Sequence, residues 1–401
     1  MTYIKDINCE DNKIYCAIKN PILCFKENIR FLLNQYQTLK LKFTTLIILI
    51  GTLSFAQVTR KYSNEFLSIG VDARAFAMGN AVVAHTGDVN STYWNPAGLT
   101  EVYHGPQIAA MHAEYFQGIA KYDYLAGAMP LANNAVVGLS LYRFGVDDIL
   151  NTTQLIDSQG NIDYDRISKF STADYALSLS YAGYFLGNSD IAVGANAKVV
   201  YRHIGKFASS FGFGLDLGLQ YRTEDQFYFG VMARDITTTF NAWSINEDEL
   251  NTITVTEPGT GNQQTVNELP EETIELTIPK LQIGVGKNFQ INDRFNVLGE
   301  VDLNFQFAQT NDLVSTAAVS FSPAVGFEVG YDNMVFLRGG VNNFQFERTF
   351  DDDKELTFQP NIGLGFKYRG ISVDYALTDV GDQSIALYSN IFSVKIDLGE
   401  F

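Results

Sequence analysis

The sequence predicts an all-β protein: a transmembrane outer-membrane antiparallel β-barrel of about 14 strands, with an N-terminal plug segment in the lumen. Three observations lead there. Apolar and polar residues alternate over stretches longer than an ordinary strand, connection lengths alternate with strand parity, and an export signal precedes both.

The export signal comes first along the chain. Residues 40–57 read KLKFTTLIILIGTLSFAQ: two lysines, an apolar run from Phe43 to Phe55, and a small-residue exit through Ser54 and Ala56. This is the layout of a secretory signal peptide, so the chain is expected to be exported. The 13-residue run spans about 20 Å as a helix, short of a bilayer core of about 30 Å. Cleavage after Ala56 leaves no cysteine, so no lipid-anchored product is expected. Residues 1–39, which carry Cys9, Cys16 and Cys24, read as an upstream extension. The expected mature chain has 345 residues, 21 basic against 41 acidic, for a net charge of −20. A nucleic-acid partner is excluded, because phosphate neutralisation needs a basic patch.

Residues 57–106 are mostly neither alternating nor charged. The part from Gly70 to Leu99 is rich in Ala, Gly and Asn, and its Asn95-Pro96 and Ala97-Gly98 steps read as turns. A compact segment ahead of a barrel fits inside the lumen as a plug, which leaves residues 107–401 for the barrel.

No run of 18 apolar residues exists, so helical membrane spans are excluded. From Phe211 to Tyr221 the odd positions are Phe, Phe, Leu, Leu, Leu and Tyr, while the even ones are Gly, Gly, Asp, Gly and Gln. That is period two over eleven residues. It recurs from Ile191 to Tyr201 and from Phe295 to Phe307. Strands are expected near 107–116, 119–129, 134–144, 172–185, 190–203, 210–222, 226–235, 279–289, 294–307, 323–332, 334–341, 360–369, 370–377 and 391–401. Connections after even-numbered strands are tight. Those after odd-numbered strands include the long ones, at 145–171, 236–278, 308–322, 342–359 and 378–390. Short turns on one rim and long loops on the other characterise bacterial outer-membrane barrels, whereas a soluble β-sandwich has no need of either feature.

The apolar register should then face lipid, and the charges of the clear strands belong to the other register, from Asp174, Lys198, Asp216, Glu300, Asp302 and Glu328 to Lys367, Asp374, Lys395 and Asp397. Mixed charge in the lumen suits an interior filled by a folded segment with paired ions. Aromatics near strand ends, including Tyr115, Phe116, Tyr184, Phe185, Tyr201, Tyr221, Phe289, Tyr331 and Tyr368, suggest interfacial girdles. The terminal strand runs from Phe392 to Phe401 and ends the chain on an aromatic, like the signal by which such barrels are recognised for insertion.

The run from Asp72 through Arg74, Met78 and Gly79 to Trp94-Asn95-Pro96-Ala97-Gly98-Leu99 resembles the N-terminal hallmark of the PorV/PorQ family, relatives of the FadL-type barrels. The pentad Trp94-Asn95-Pro96-Ala97-Gly98 stands where PorV itself tends to have Ser or Ala followed by Lys after the proline, which suggests a paralogue. The resemblance implies a non-enzymatic binding or shuttle component working in or alongside type IX protein secretion. Its partners would be outer-membrane lipid and a secretion translocon or a secreted, surface-attached substrate. FadL-type relatives share the Asn-Pro-Ala element and imply the alternative, an outer-membrane transporter of hydrophobic small molecules.

Nothing in the sequence calls for a catalytic, metal or cofactor site. His85, His104, His112 and His203 have no metal-ligand spacing, and Gly212-Phe-Gly214 and Gly363-Leu-Gly365 lie inside alternating strands with no following helix. The long loops carry 21 of the 41 acidic residues and four basic ones. Glu247, Asp248, Glu249, Glu271, Glu272, Asp351, Asp352 and Asp353 form an acidic rim that could engage a protein partner.

Overall fold

The computed structural model describes residues 63–400 apart from 117, 133, 153–154, 156–161, 250–253, 257–262, 266–273, 349–352 and 382–387. The export signal, the upstream extension and Phe401 lie outside the described residues.

Fourteen strands pair antiparallel in sequence order. They are β1 (Gln107–Tyr115), β2 (Ala120–Pro130), β3 (Val136–Asn151), β4 (Ser168–Tyr184), β5 (Ile191–Ile204), β6 (Ala208–Arg222) and β7 (Phe227–Arg234), then β8 (Lys280–Gln290), β9 (Phe295–Gln306), β10 (Ser320–Tyr331), β11 (Val335–Arg348), β12 (Lys354–Tyr368), β13 (Ile371–Thr378) and β14 (Ser389–Asp397). The sheet closes where β1 pairs with β14, from Gln107 opposite Asp397 to Glu114 opposite Asn390. Closure leaves no free barrel edge.

Alternation sorts the two faces. In β4, Leu177, Leu179 and Tyr181 are 46%, 57% and 53% exposed, while Ser178 and Ser180 between them are buried. The same apolar exterior runs through Phe211 and Phe213, Val325 and Phe327, Ile362 to Phe366, and Phe392. A continuous apolar band around a closed barrel is stable against acyl chains and would drive aggregation in water. The protein is therefore a membrane-spanning barrel, and this architecture belongs to the outer membrane.

The girdle holds in part. Tyr175, Tyr201 and Phe211 lie opposite one another on the outside of adjacent strands, and the Tyr201 and Phe211 ring centroids are 4.7 Å apart. Tyr115 and Tyr184 depart from the expectation: both sit on the inward register of their strands, because aromatic identity does not reveal parity at a strand end. The outer face also has an exception. His112, Asp123 and Arg143 occupy one row across β1, β2 and β3, where His112 pairs with Asp123 at 2.7 Å and Arg143 with Asp123 at 3.3 Å. That row continues into Tyr175, so these charges sit at girdle level rather than at mid-bilayer and neutralise one another.

Two stretches expected to be loops continue as strands. β3 and β4 remain paired up to Asn151 and Ser168, and β11 and β12 up to Arg348 and Lys354. Each extension follows a bulge, and the bulge residues Asp148 (φ 59°) and Asn343 (φ 54°) are left-handed. The bulge breaks the period-two signal while backbone pairing goes on. Within 236–278, Thr239–Ile245 pairs with the upper half of β6, and Ile274–Thr277 pairs with Thr239–Ile245, so this segment continues the wall. Two connections on the same rim, 116–119 and 205–207, are short.

Candidate functional site: the lumen plug and its two cavities

Residues 63–106 pack against the inward register of the barrel. Asp72 caps the helix Ala73–Ala77, and its Oδ1 accepts from Ser393 Oγ on β14 at 2.8 Å. Trp94 donates from Nε1 to Val71 O at 2.9 Å, which folds the segment on itself. Asn95 is fully buried. Its Oδ1 accepts from Ala97 N to cap the 3-10 turn Pro96–Glu101, and its Nδ2 donates to Val83 O at 3.0 Å and to Leu219 O of β6 at 3.1 Å. Pro96 sits at the first position of that turn, where a missing N–H costs nothing.

Glycines on both partners allow backbone to touch backbone. Gly79 has φ 63°, and a Cβ there would lie 2.7 Å from Val341 N. One on Gly98 would meet Thr86 O at 2.1 Å, and one on Gly194 of β5 would meet Pro96 C at 2.4 Å. Gly194→Val should therefore displace Pro96 and Ala97 at a cost of about 1–3 kcal/mol. The expected result is a lower temperature for the folded-to-unfolded gel shift of the barrel; an unchanged temperature would mean that this contact yields freely.

Charge ties the plug to the wall. Arg74 donates from Nε and Nη2 to the two oxygens of Glu328 at 2.8 and 3.0 Å. Arg338 donates to the same carboxylate at 2.6 Å and to Asp374 at 2.5 Å. His85 donates from Nδ1 to Glu300 at 2.8 Å and accepts from Arg74 at Nε2, a tautomer inferred from its partners. The amides of Val82 and Val83 donate to Asp302 at 2.9 and 3.1 Å, and that of Ala84 to Glu300 at 2.7 Å. Lys395 pairs with Asp88. The motif residues Asp72, Arg74, Gly79, Asn95, Pro96 and Ala97 thus meet wall residues far away in sequence, whereas Trp94 and Gly98 pack within the plug. Arg338, which joins Glu328 to Asp374, was absent from the sequence reading; its place on the lumen register, opposite Glu328, was the available signal.

The plug separates two cavities. The larger, about 370 Å³, opens at the long-loop mouth over Phe76, Tyr93 and Trp94 of the plug, beneath walls of β8 to β13. There burial raises the Asp312 carboxyl above the ordinary carboxylate range, opposed by a hydrogen bond from Thr310 Oγ1 at 2.6 Å. The smaller, about 200 Å³, lies at the short-turn mouth between Thr100, Glu101 and Tyr184 and the turn 223–226.

The acidic rim is only partly in view. Glu247, Asp248 and Glu249 form a 3-10 turn beyond Ile245, and Asp353 is exposed just before β12. Glu271, Glu272, Asp351 and Asp352 lie outside the described residues. Glu275 of the same loop turns inward instead, 3.4 Å from Arg202 and within hydrogen-bond reach of Ser63. In the terminal strand, Phe392 points outward and packs on Tyr375 with ring centroids 4.8 Å apart.

No family model and no curated protein matches the chain in sequence. Among solved structures, it is similar to the toluene transporter TbuX of Ralstonia pickettii at 13% identity, covering 82% of this chain and 98% of that one, with a TM-score of 0.49. It is similar to the toluene transporter TodX of Pseudomonas putida at 13% identity, 82% and 97% coverage and a TM-score of 0.48. A FadL homologue of Pseudomonas aeruginosa matches at 9% identity, 81% and 97% coverage and a TM-score of 0.46. The barrel assignment rests on the strand pairing of this chain itself.

Proposed function

We propose that this protein is an outer-membrane transporter for small molecules, in which a ligand enters the chamber at the long-loop mouth and passes when the N-terminal segment shifts. The observation that carries this reading is the pair of cavities lined by opposite ends of one plug, Phe76, Tyr93 and Trp94 at one mouth and Thr100 and Glu101 at the other. The plug is built from short turns held by side chains rather than by sheet pairing, so it can move without unpairing the wall. The mature chain is cysteine-free, which allows a clean test. Cysteines placed at Ala73 and Ser393, whose backbone N and Oγ are 3.1 Å apart, should lock the plug when oxidised. Reconstituted in liposomes, the reduced form should admit arabinose and the oxidised form should not; equal permeability in the two states would refute gating by the plug.

A second reading, a PorV/PorQ-type shuttle in type IX secretion, is favoured by the ionic fastening of the plug, which suits a barrel that stays shut while its rim works. Affinity purification from mild detergent separates the two. A translocon protein or a secreted substrate in stoichiometric amount supports the shuttle, and its absence alongside measurable solute flux supports the transporter.

A further inference from the structure

We infer that the chamber at the long-loop mouth is a binding site for a neutral saccharide. This rests on the reading of that cavity as the ligand chamber and adds the class of ligand. Of the 21 described residues lining it, nine are Asn or Gln and three are charged: Arg234, Lys280 and Asp312. Sites for apolar ligands have the opposite make-up, many hydrophobic side chains and a few placed polar groups.

The two positive charges are already balanced. Lys280 pairs with Glu65 at 3.2 Å. Lys198 alone serves two carboxylates, Asp216 at 2.8 Å and Asp235 at 2.6 Å, which leaves one negative charge beside Arg234. The guanidinium stacks over Tyr93, 4.4 Å from the ring centroid, and donates from Nε to Gln282 at 2.8 Å.

Each lining amide offers a donor and an acceptor. A hydrocarbon would displace water from them and give no hydrogen bond in return. A carboxylate would face Asp312 and the amide oxygens with lone pairs only. A hydroxyl both donates and accepts, so a ligand carrying several matches the amides of Asn304, Asn342 and Gln359. The rings of Phe76, Tyr93 and Trp94 offer an apolar floor to the C–H face of a sugar ring.

The test uses the whole mature chain in detergent, titrated calorimetrically and by tryptophan fluorescence, with Trp94 as one of only two tryptophans. Maltose should bind saturably. Asn342→Ala and Gln359→Ala should each weaken it several-fold, with both variants keeping the barrel's gel shift. Maltose binding indifferent to both substitutions overturns the assignment. Toluene binding in place of maltose overturns the ligand class and leaves the chamber standing; if neither binds, the chamber reading falls as well.

Discussion

Glu328→Gln is expected to release the plug. In the native protein this carboxylate, 6% exposed in its side chain, accepts from Arg74 of the plug and from Arg338 of the wall. Arg338 is buried and Arg74 is partly so, and Arg338 keeps Asp374 as a further partner. Removing the charge leaves two guanidinium groups facing each other across the plug boundary. Breaking a buried pair by deleting one partner costs about 3–5 kcal/mol, because the stranded charge is not resolvated. Two readouts should move together. The thermal gel shift should come at a lower temperature, and planar-bilayer recordings should show open events more often than in the native protein. If the current stays closed while stability drops, the network supports the wall and not the plug. Arg74→Gln combined with Glu328→Gln should cost less than the sum of the single changes, since the two side chains share one contact.

Leu179→Arg is expected to give the second large effect. Leu179 points outward between Tyr175 and Tyr181, and it is 57% exposed on the apolar band. An arginine on the lipid face of a barrel near mid-bilayer costs about 2–4 kcal/mol. Equilibrium unfolding in liposomes should show that loss, and the loss should shrink in water-rich detergent micelles. A cation one strand away is tolerated for the opposite reason: Lys198 of β5 faces the lumen, buried against Asp216 and Asp235. An equal cost in both media would contradict the lipid-facing assignment of this band.

Much of this architecture is legible in the chain as a string. The alternation from Phe211 to Tyr221 or from Ile191 to Tyr201 needs no partner to be seen, because a strand sends successive side chains to opposite faces. It was enough to assign Asp216, Lys198, Glu300 and Asp302 to the lumen. The legibility ends where a bulge resets parity, as at Asp148 and Asn343, and at strand ends such as Tyr115, whose inward turn makes it part of the chamber's lining.

The motif residues illustrate the other limit. Asp72, Arg74, Gly79, Trp94 and Asn95 stood out by their resemblance to a family hallmark, but their chemistry did not, since Arg74 meets Glu328 across 254 residues and Asp72 meets Ser393 across 321. The sequence by itself determined an exported, acidic, antiparallel barrel with an apolar exterior, because periodicity, charge balance and signal layout are local properties. Only the tertiary structure decided which lumen side chains clasp the plug and where the two cavities open. Those depend on the register of fourteen strands around a closed ring, and each ring closure brings together residues that no local pattern relates.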